Sequence, residues 1–515
     1  MGMRVTTNMA MNLYRYNLGN STIKMNDAMN KMMTHRKFDS FGEDPSSAIQ
    51  AWRIRRAMVD NASYQNNNSD TTSRFRIAWE SMLMVSDDLV DKDGRFSDIR
   101  AMNDATAGAK VELGRVMSNT ADSVIQAMNS AKFGDHFVFS GNDEMNAPFT
   151  WSEDGKTLYY RGVNVNAGLV KNPAEQPVPS WALDDAGNEI PAGPRVPQGM
   201  PAAGADADEQ AWINYYMDPA NNTEPTTAVP AWAVDSAPGA AGAMQADDGN
   251  LAADAAGYRR IVPEGIPAKS DDIYEQAWIE YYQNPAAAAK PTDDPGENGA
   301  WGEADQFGVP AAAKEVGENH GAYERMWAAY YRDQGDVQRL DKLAHEAQFV
   351  DLGMGLKEDG SGIVNGTAFD RSLPGIDMLG YGIDKNGDPN NVAMVLKRLG
   401  EIFQNCDPES GKLSANEEEC EKLLAEATRL LDKLKACKDD CSGKTTEIDT
   451  KASFLEANAD RMKMNGDYLN VDRAELEDID PADAISNYMY DYYCYNAALK
   501  VGTQLLSQSL IDYMN

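Results

Sequence analysis

The sequence predicts a multidomain, mainly α-helical chain in which N- and C-terminal helices form a rod. A β-rich domain is inserted in that rod and itself carries a large, acidic, Ala/Pro/Gly-rich repeat insert. Three observations carry this expectation. Both ends of the chain hold long runs of apolar residues spaced by three and four. Short aromatic and β-branched segments lie inside those runs. Between those segments, residues 167–345 shift to Ala, Pro, Gly and Asp and repeat themselves.

Near the N-terminus the stripe runs Met11, Tyr14, Leu18, Ser21, Met25, Ala28, Met32, the spacing of helices that pack in bundles. After the break "FGEDPSSA" a second helix is expected over 46–90, with the stripe Gln65, Asn68, Thr72, Phe75, Trp79, Met82, Ser86, Leu89. Its first half is polar, so this face is expected to meet water or another subunit. "DKDGRFSD" reads as a turn, and a third helix over 104–132 carries Leu113, Val116, Thr120, Val124, Ala127 and Ala131.

The C-terminal side mirrors this with Ile448, Ala452, Leu455, Ala459, Met462, Gly466, Leu469, Arg473 and Leu476. "DIDPADA" restarts a helix, with Asp480 as N-cap, Pro481 in the first helical position and Asp483 at the positive helix end. The last stripe is Ile485, Tyr488, Tyr492, Tyr495, Leu499, Gly502, Leu506, Ser509, Tyr513, and no charge falls between Lys500 and Asp512. A long uncharged helix at a terminus, where disorder is usual, points to a surface completed by other subunits. A charge there would be buried unpaired, at a cost of several kcal/mol.

In the middle, "HFVFSG" and "KTLYYRG" read as strands, and the β region resumes over 348–391. The insert repeats: "VPQGMP" at 196–201 returns as "VPEGIP" at 262–267, and "EQAWINYY" at 209–216 as "EQAWIEYY" at 275–282 and "ERMWAAYY" at 324–331. "PSWALDD" and "PAWAVDS" precede the first two helices. Each helix sets a Trp and two Tyr on one face. Trp212, Trp278 and Trp327 either stack on sugars as exposed aromatics or form the small core of each module. The expected domains are 1–45 with 478–515, 46–133 with 392–477, 134–166 with 346–391, and 167–345.

Composition narrows the function. The net charge of −34 argues against nucleic acid and anionic membrane surfaces, which need Lys and Arg. No stretch approaches the ~20 apolar residues of a membrane span. The first twenty residues lack an apolar h-region, so no cleaved secretory signal is expected, which taken alone reads as cytoplasmic. Cys406, Cys420, Cys437 and Cys441 are spaced poorly for zinc. Cys420 and Cys437 on one helix would lie ~25 Å apart, whereas the local pairs Cys406–Cys420 and Cys437–Cys441 stay open as disulfides. "HEAQF" at 345–349 lacks the second histidine of a zinc-protease helix, and "DKNGDPNN" at 384–391 lacks the closing Glu of a calcium loop. There is no Walker loop, dinucleotide fingerprint or GxSxG. No enzyme activity, metal or cofactor is expected.

The ends carry a resemblance. "MRVTTNMAMNLYRYNL" from Met3, the "EDPSSA" break and the closing "ALKVGTQLLSQSLIDYM" resemble the flagellin superfamily of axial flagellar proteins. Within it, "FGDHFVFSGNDEMNAPF" looks like an element of the hook–filament junction proteins, hook-associated protein 3, and covers 133–149. The match spans about 1–165 and 346–515, with no counterpart for 167–345. Cys494 in the terminal helix departs from a family in which cysteine is sparse. The resemblance implies a flagellin-like rod and a non-catalytic, extracellular structural subunit of the bacterial flagellum. It would be exported unfolded through the flagellar type III channel. The implied partners are other copies in a ring, the neighbouring hook-associated protein, filament flagellin, and a cytoplasmic export chaperone on the C-terminal helix. Met11, Tyr14, Leu18, Met25, Met32, Ile485, Tyr488, Tyr492, Leu499, Leu506 and Tyr513 are the expected subunit contacts. Two alternatives are a filament flagellin with a variable outer domain, and a glycan-binding adhesin displayed through 167–345.

Overall fold

The computed structural model describes residues 7–86, 107–235, 242–247, 257–285, 288–297, 299–360, 362–364, 366–407, 412–414 and 416–514. Helix accounts for 56% of the structure and the sheets are small and open, so the chain is mainly α. The helices are α1 (Thr7–Thr34), α2 (Pro45–Leu83), α3 (Ala107–Ser130), α4 (Ala207–Met217), α5 (Ile273–Gln283), α6 (Ala311–Glu315), α7 (Ala322–Ala344), α8 (Gly375–Leu379), α9 (Val392–Gln404), α10 (Glu417–Glu477) and α11 (Pro481–Met514). Leu89 and the "DKDGRFSD" turn lie outside the described residues. Two compact units are present: residues 1–80 with 347–372 and 445–515, and residues 81–346 with 373–444. The later β segment thus divides, with 347–372 grouping with terminal helices and not with 134–166.

In the first unit, α2 and α11 both start on Asp-Pro. Asp44 accepts from the Ser47 N–H at 3.1 Å and the Ser47 hydroxyl at 2.5 Å. The Ser47 hydroxyl and then its N–H hold the Asp44 carboxyl below its ordinary range. Asp480 accepts from the Ala482 N–H at 2.7 Å, the capping expected of it. The breaks before these helices are tied together, because the Lys37 N–H donates to Glu477 O and the Ile479 N–H to His35 O.

The polar half of the α2 stripe corrects the sequence reading. Asn68 is buried against α10, Gln65 is half-buried against it, and Thr72 beside them is half-buried. Asn61 and Gln65 donate to Met462 O at 3.0 and 3.1 Å, and Asn68 donates to Leu455 O at 2.8 Å. Asn458 and Asn465 return bonds to Asn68 and Asn61. A buried amide is acceptable when its donors and acceptors are met, and these largely are. Asn458 also takes the seat in α10 expected for Ala459, which is exposed. Farther along, Phe75 meets Phe369 edge-on at 5.6 Å, and Phe369 stacks on Phe454 at 5.9 Å.

In the second unit, α3 and α9 approach until their backbones touch. A Cβ on Gly114 would sit 2.7 Å from Gly400 O, and one on Gly400 2.3 Å from Ser118 Oγ. Val116 is the exposed exception in the expected α3 stripe. The strands β1 (Lys132–Phe133) and β2 (His136–Phe137) pair, as do β3 (Phe149–Trp151), β4 (Leu158–Tyr160) and β5 (Val163–Asn164) in antiparallel order. All five cysteines are free thiols, so neither open disulfide forms. Cys437 and Cys441 are buried on α10, their thiols donating to Asn390 O and Met378 O.

The segment 167–345 holds three modules, but not in the serial arrangement that the sequence suggests. The Trp232 indole N–H donates to Glu209 at 2.8 Å, and the Trp181 indole N–H to Glu275 at 2.9 Å. "SWALDD" therefore packs on the second helix, α5, and "AWAVD" on the first, α4. Strands β6 (Arg195–Pro197) and β7 (Tyr258–Arg260) pair antiparallel and close the α4 module on itself. That module is nested inside the α5 module, between its hairpin and its helix. The third module sets Trp301 6.1 Å from Tyr331 of α7.

Within each helix the Trp ring packs on the Tyr four residues on, stacked at Trp212–Tyr216 (6.1 Å) and Trp278–Tyr282 (6.0 Å) and tilted by 34° at Trp327–Tyr331 (6.0 Å). A hairpin of the form Asp-x-x-Gly recurs, at Asp184, Asp305 and again outside the segment at Asp384. Each Asp accepts from the N–H groups two and four residues on. The matching glycines, Gly187, Gly308 and Gly387, take φ of 82°, 75° and 82°, the left-handed region that a side chain disfavours.

Two outcomes are expected. Burial pushes the Cys437 thiol up to about 11 and the Cys441 thiol up to about 12. Because the thiolate is the nucleophile, iodoacetamide near neutral pH should spare both in the folded chain and label both in guanidinium, read by mass spectrometry. Trp278→Ala should destabilise its module by about 3–5 kcal/mol, measured by a near-UV circular dichroism denaturation curve.

Candidate assembly surface

Helices α1 and α11 pair along their length. The expected α1 stripe is the covered one: Met11, Tyr14, Leu18, Ser21, Met25 and Met32 are half-buried, and Ala28 is buried. On α11 the covered positions are Ala484, Tyr488, Asp491, Cys494, Tyr495, Ala498 and Gly502. Tyr488, Tyr495 and Gly502 match the expected stripe. Ile485, Tyr492 and Leu499 do not, and lie one residue round the helix at 48%, 45% and 38% exposed. The physical reason is size. Ala484, Ala498 and Gly502 let the helices approach closely, and the Tyr14 ring lies where a Gly502 side chain would be. Leu506 and Tyr513 belong to the helical backbone of α11, but their side chains lie outside those described.

The displaced residues form a line of their own. Ile485, Met489, Tyr492 and Leu499 follow heptad spacing along the outside of α11, and Met9, Leu13, Tyr16 and Ile23 do the same on α1. Each helix carries four charged residues. Among the side chains described on the two helices, only Ala28, Ala484 and Gly502 are buried. Helices this long draw most of their stability from a packed face, and here the intramolecular face is thin while two apolar lines remain open. Contiguous exposed apolar surface of this kind marks an interaction site.

The two motifs weighed as metal sites are engaged in structural contacts. Glu346 of "HEAQF" accepts from Arg161 at 2.7 Å and from the Asn142 N–H at 3.0 Å, a brace between chain segments. In "DKNGDPNN", Asp388 and Asp384 are engaged by Arg429 at 2.9 Å and Lys433 at 2.8 Å. Among the described residues no group of His, Cys, Asp and Glu is placed to hold a metal, and no helix is long and apolar enough to cross a membrane. Trp212, Trp278 and Trp327, weighed as surface aromatics, are instead at most 1% exposed and form the module cores. They present no face to a sugar. Of the Asp-x-x-Gly hairpins only "DKNGDPNN" was weighed in the sequence, as a calcium loop, although the repeated spacing is visible there.

Comparisons with protein-family models, curated proteins and solved structures return no match.

Gly502→Leu should force Tyr14 out of the seam and separate α1 from α11. Amide exchange in 7–34 and 481–504 is expected to speed up, while exchange in 107–130 stays unchanged.

Proposed function

We propose that this chain is a non-catalytic structural subunit of the bacterial flagellum, forming the junction between hook and filament and assembling through its terminal helices. Its partners in this reading are other copies of itself in a ring, the neighbouring hook-associated protein, filament flagellin and an export chaperone on α11. Its place is extracellular, reached through the flagellar type III channel. The terminal motifs quoted above supply the resemblance. The single structural observation in its support is the pair of open apolar lines on α1 and α11, which a subunit in an axial assembly would cover against its neighbours. In such a subunit 167–345 would project from a flagellin-like rod.

Deleting residues 501–515 tests the proposal. The truncated chain should keep its near-UV circular dichroism but fail to incorporate at the hook tip, leaving cells without filaments. Normal filaments on cells making only the truncated form would overturn it. Immunogold labelling of the full-length chain should give one band at the hook end. Label along the whole flagellum would make the chain a filament flagellin.

A further inference from the structure

The pairing of α2 with α10 leaves each helix with a second face. α2 turns Arg55, Asn61 and Asn68 toward α10, where they bond to Glu477, Met462 and Leu455. At helical spacing on the opposite side of α2 stand Ile49, Trp52, Arg56 and Val59. On the opposite side of α10 stand Met464, Tyr468, Val471 and Glu475. The apolar members of both lines are between 47% and 69% exposed. Asn465 bonds to Asn61 and Arg55 to Glu477, so the two lines lie at about the same height on the two flanks of the helix pair.

The lines differ in the sign of their charge. Arg53 and Arg56 are exposed along the α2 line, and neither has an ion pair among the described residues. Arg56 lies over the Trp52 ring at 5.9 Å, which steadies its guanidinium beside the line. Asp467 and Glu475 are exposed along the α10 line, and their carboxylates too have no ion pair among the described residues. The neighbouring charges of the other sign, Asp60 on α2 and Arg461 on α10, are turned aside. Both line the pocket at the junction of the two helices, with Asn61, Tyr64 and Met462, and Arg461 donates to Asn458 at 2.7 Å. Copies of a chain of net charge −34 repel one another in general. An arginine pair without carboxylates is therefore where an acidic copy is admitted.

We propose that the outer α2 line of one copy docks on the outer α10 line of a second copy, with Arg53 and Arg56 set against Asp467 and Glu475 around the apolar residues of both lines. The inference rests on the reading of the chain as a self-assembling subunit and adds a contact distinct from the lines on α1 and α11. The two patches differ and lie on opposite flanks, so the contact is heterologous. Each copy offers α2 to one neighbour and α10 to the other, which closes into a ring or continues as a helix.

Sedimentation velocity of the full-length chain at rising concentration tests this. The wild type should self-associate. Reversing one side, by Arg53→Glu with Arg56→Glu or by Asp467→Arg with Glu475→Arg, should weaken self-association at least about tenfold, the scale of two lost ion pairs replaced by repulsion. Near-UV circular dichroism should not change, because all four side chains are exposed. The second pair also lowers the net negative charge, so weakening there cannot come from general repulsion. The chain carrying all four changes should associate like the wild type, because the signs are exchanged and not lost. Self-association unmoved by either reversal, or a chain with all four changes that stays as weak as the pairs, overturns the contact. The proposed function then stands, with copies joined through other faces. A wild-type chain that stays monomeric at every concentration removes the self-assembling function and this contact together.

Discussion

Register between the outgoing and returning helices is set by amide side chains that reach across and bond to backbone carbonyls. Apolar faces tolerate sliding, since one leucine fits nearly as well as the next. Asn61, Gln65 and Asn68 each require a particular oxygen, on Met462 or Leu455, and a shift of one turn would leave several buried polar groups unmet. Such positions trade stability for a unique alignment, as a buried asparagine does in a coiled coil. The alignment carries outward. With α2 and α10 locked, Lys37 and Ile479 meet Glu477 and His35, and α1 and α11 leave the crossing side by side. The seam and both outer apolar lines follow from that placement.

Much of this was legible in the residues. The long helices, their Asp-Pro starts and the α1 stripe follow directly from spacing and capping chemistry. What failed did so for identifiable reasons. Hydrophobic periodicity treats asparagine as a solvent residue, so it misplaced the first half of α2, where the amides satisfy one another and the opposing backbone. It also favours large residues for a seam. On α11 the small Ala484 and Ala498 joined the expected Tyr488, Tyr495 and Gly502 in the seam, and the bulky Ile485, Tyr492 and Leu499 moved outside. The pattern located the helix and its two faces but could not tell which of them met α1.

The repeat segment shows a different limit. Similarity between copies revealed the modules and the aromatic triads, but not which hairpin serves which helix. Nearness in sequence suggested one pairing, and the indole bonds of Trp181 to Glu275 and Trp232 to Glu209 give the other. The decisive element is the three-residue pairing of β6 with β7, too short to stand out in composition. The same triad serves all three modules because its geometry is local. Trp and Tyr four residues apart stack within a helix, and a second tryptophan closes over the tyrosine from the hairpin.

Nesting has a consequence of its own. In the β6–β7 ladder Arg195 lies opposite Arg260, so the inner module enters and leaves its host at a single doorway. Its tryptophan, tyrosine and methionine interior is assembled from its own residues. A passenger attached in this way can be lengthened, exchanged or lost in one genetic event while the host still closes over the gap. Closure of the inner module is thereby uncoupled from closure of its host.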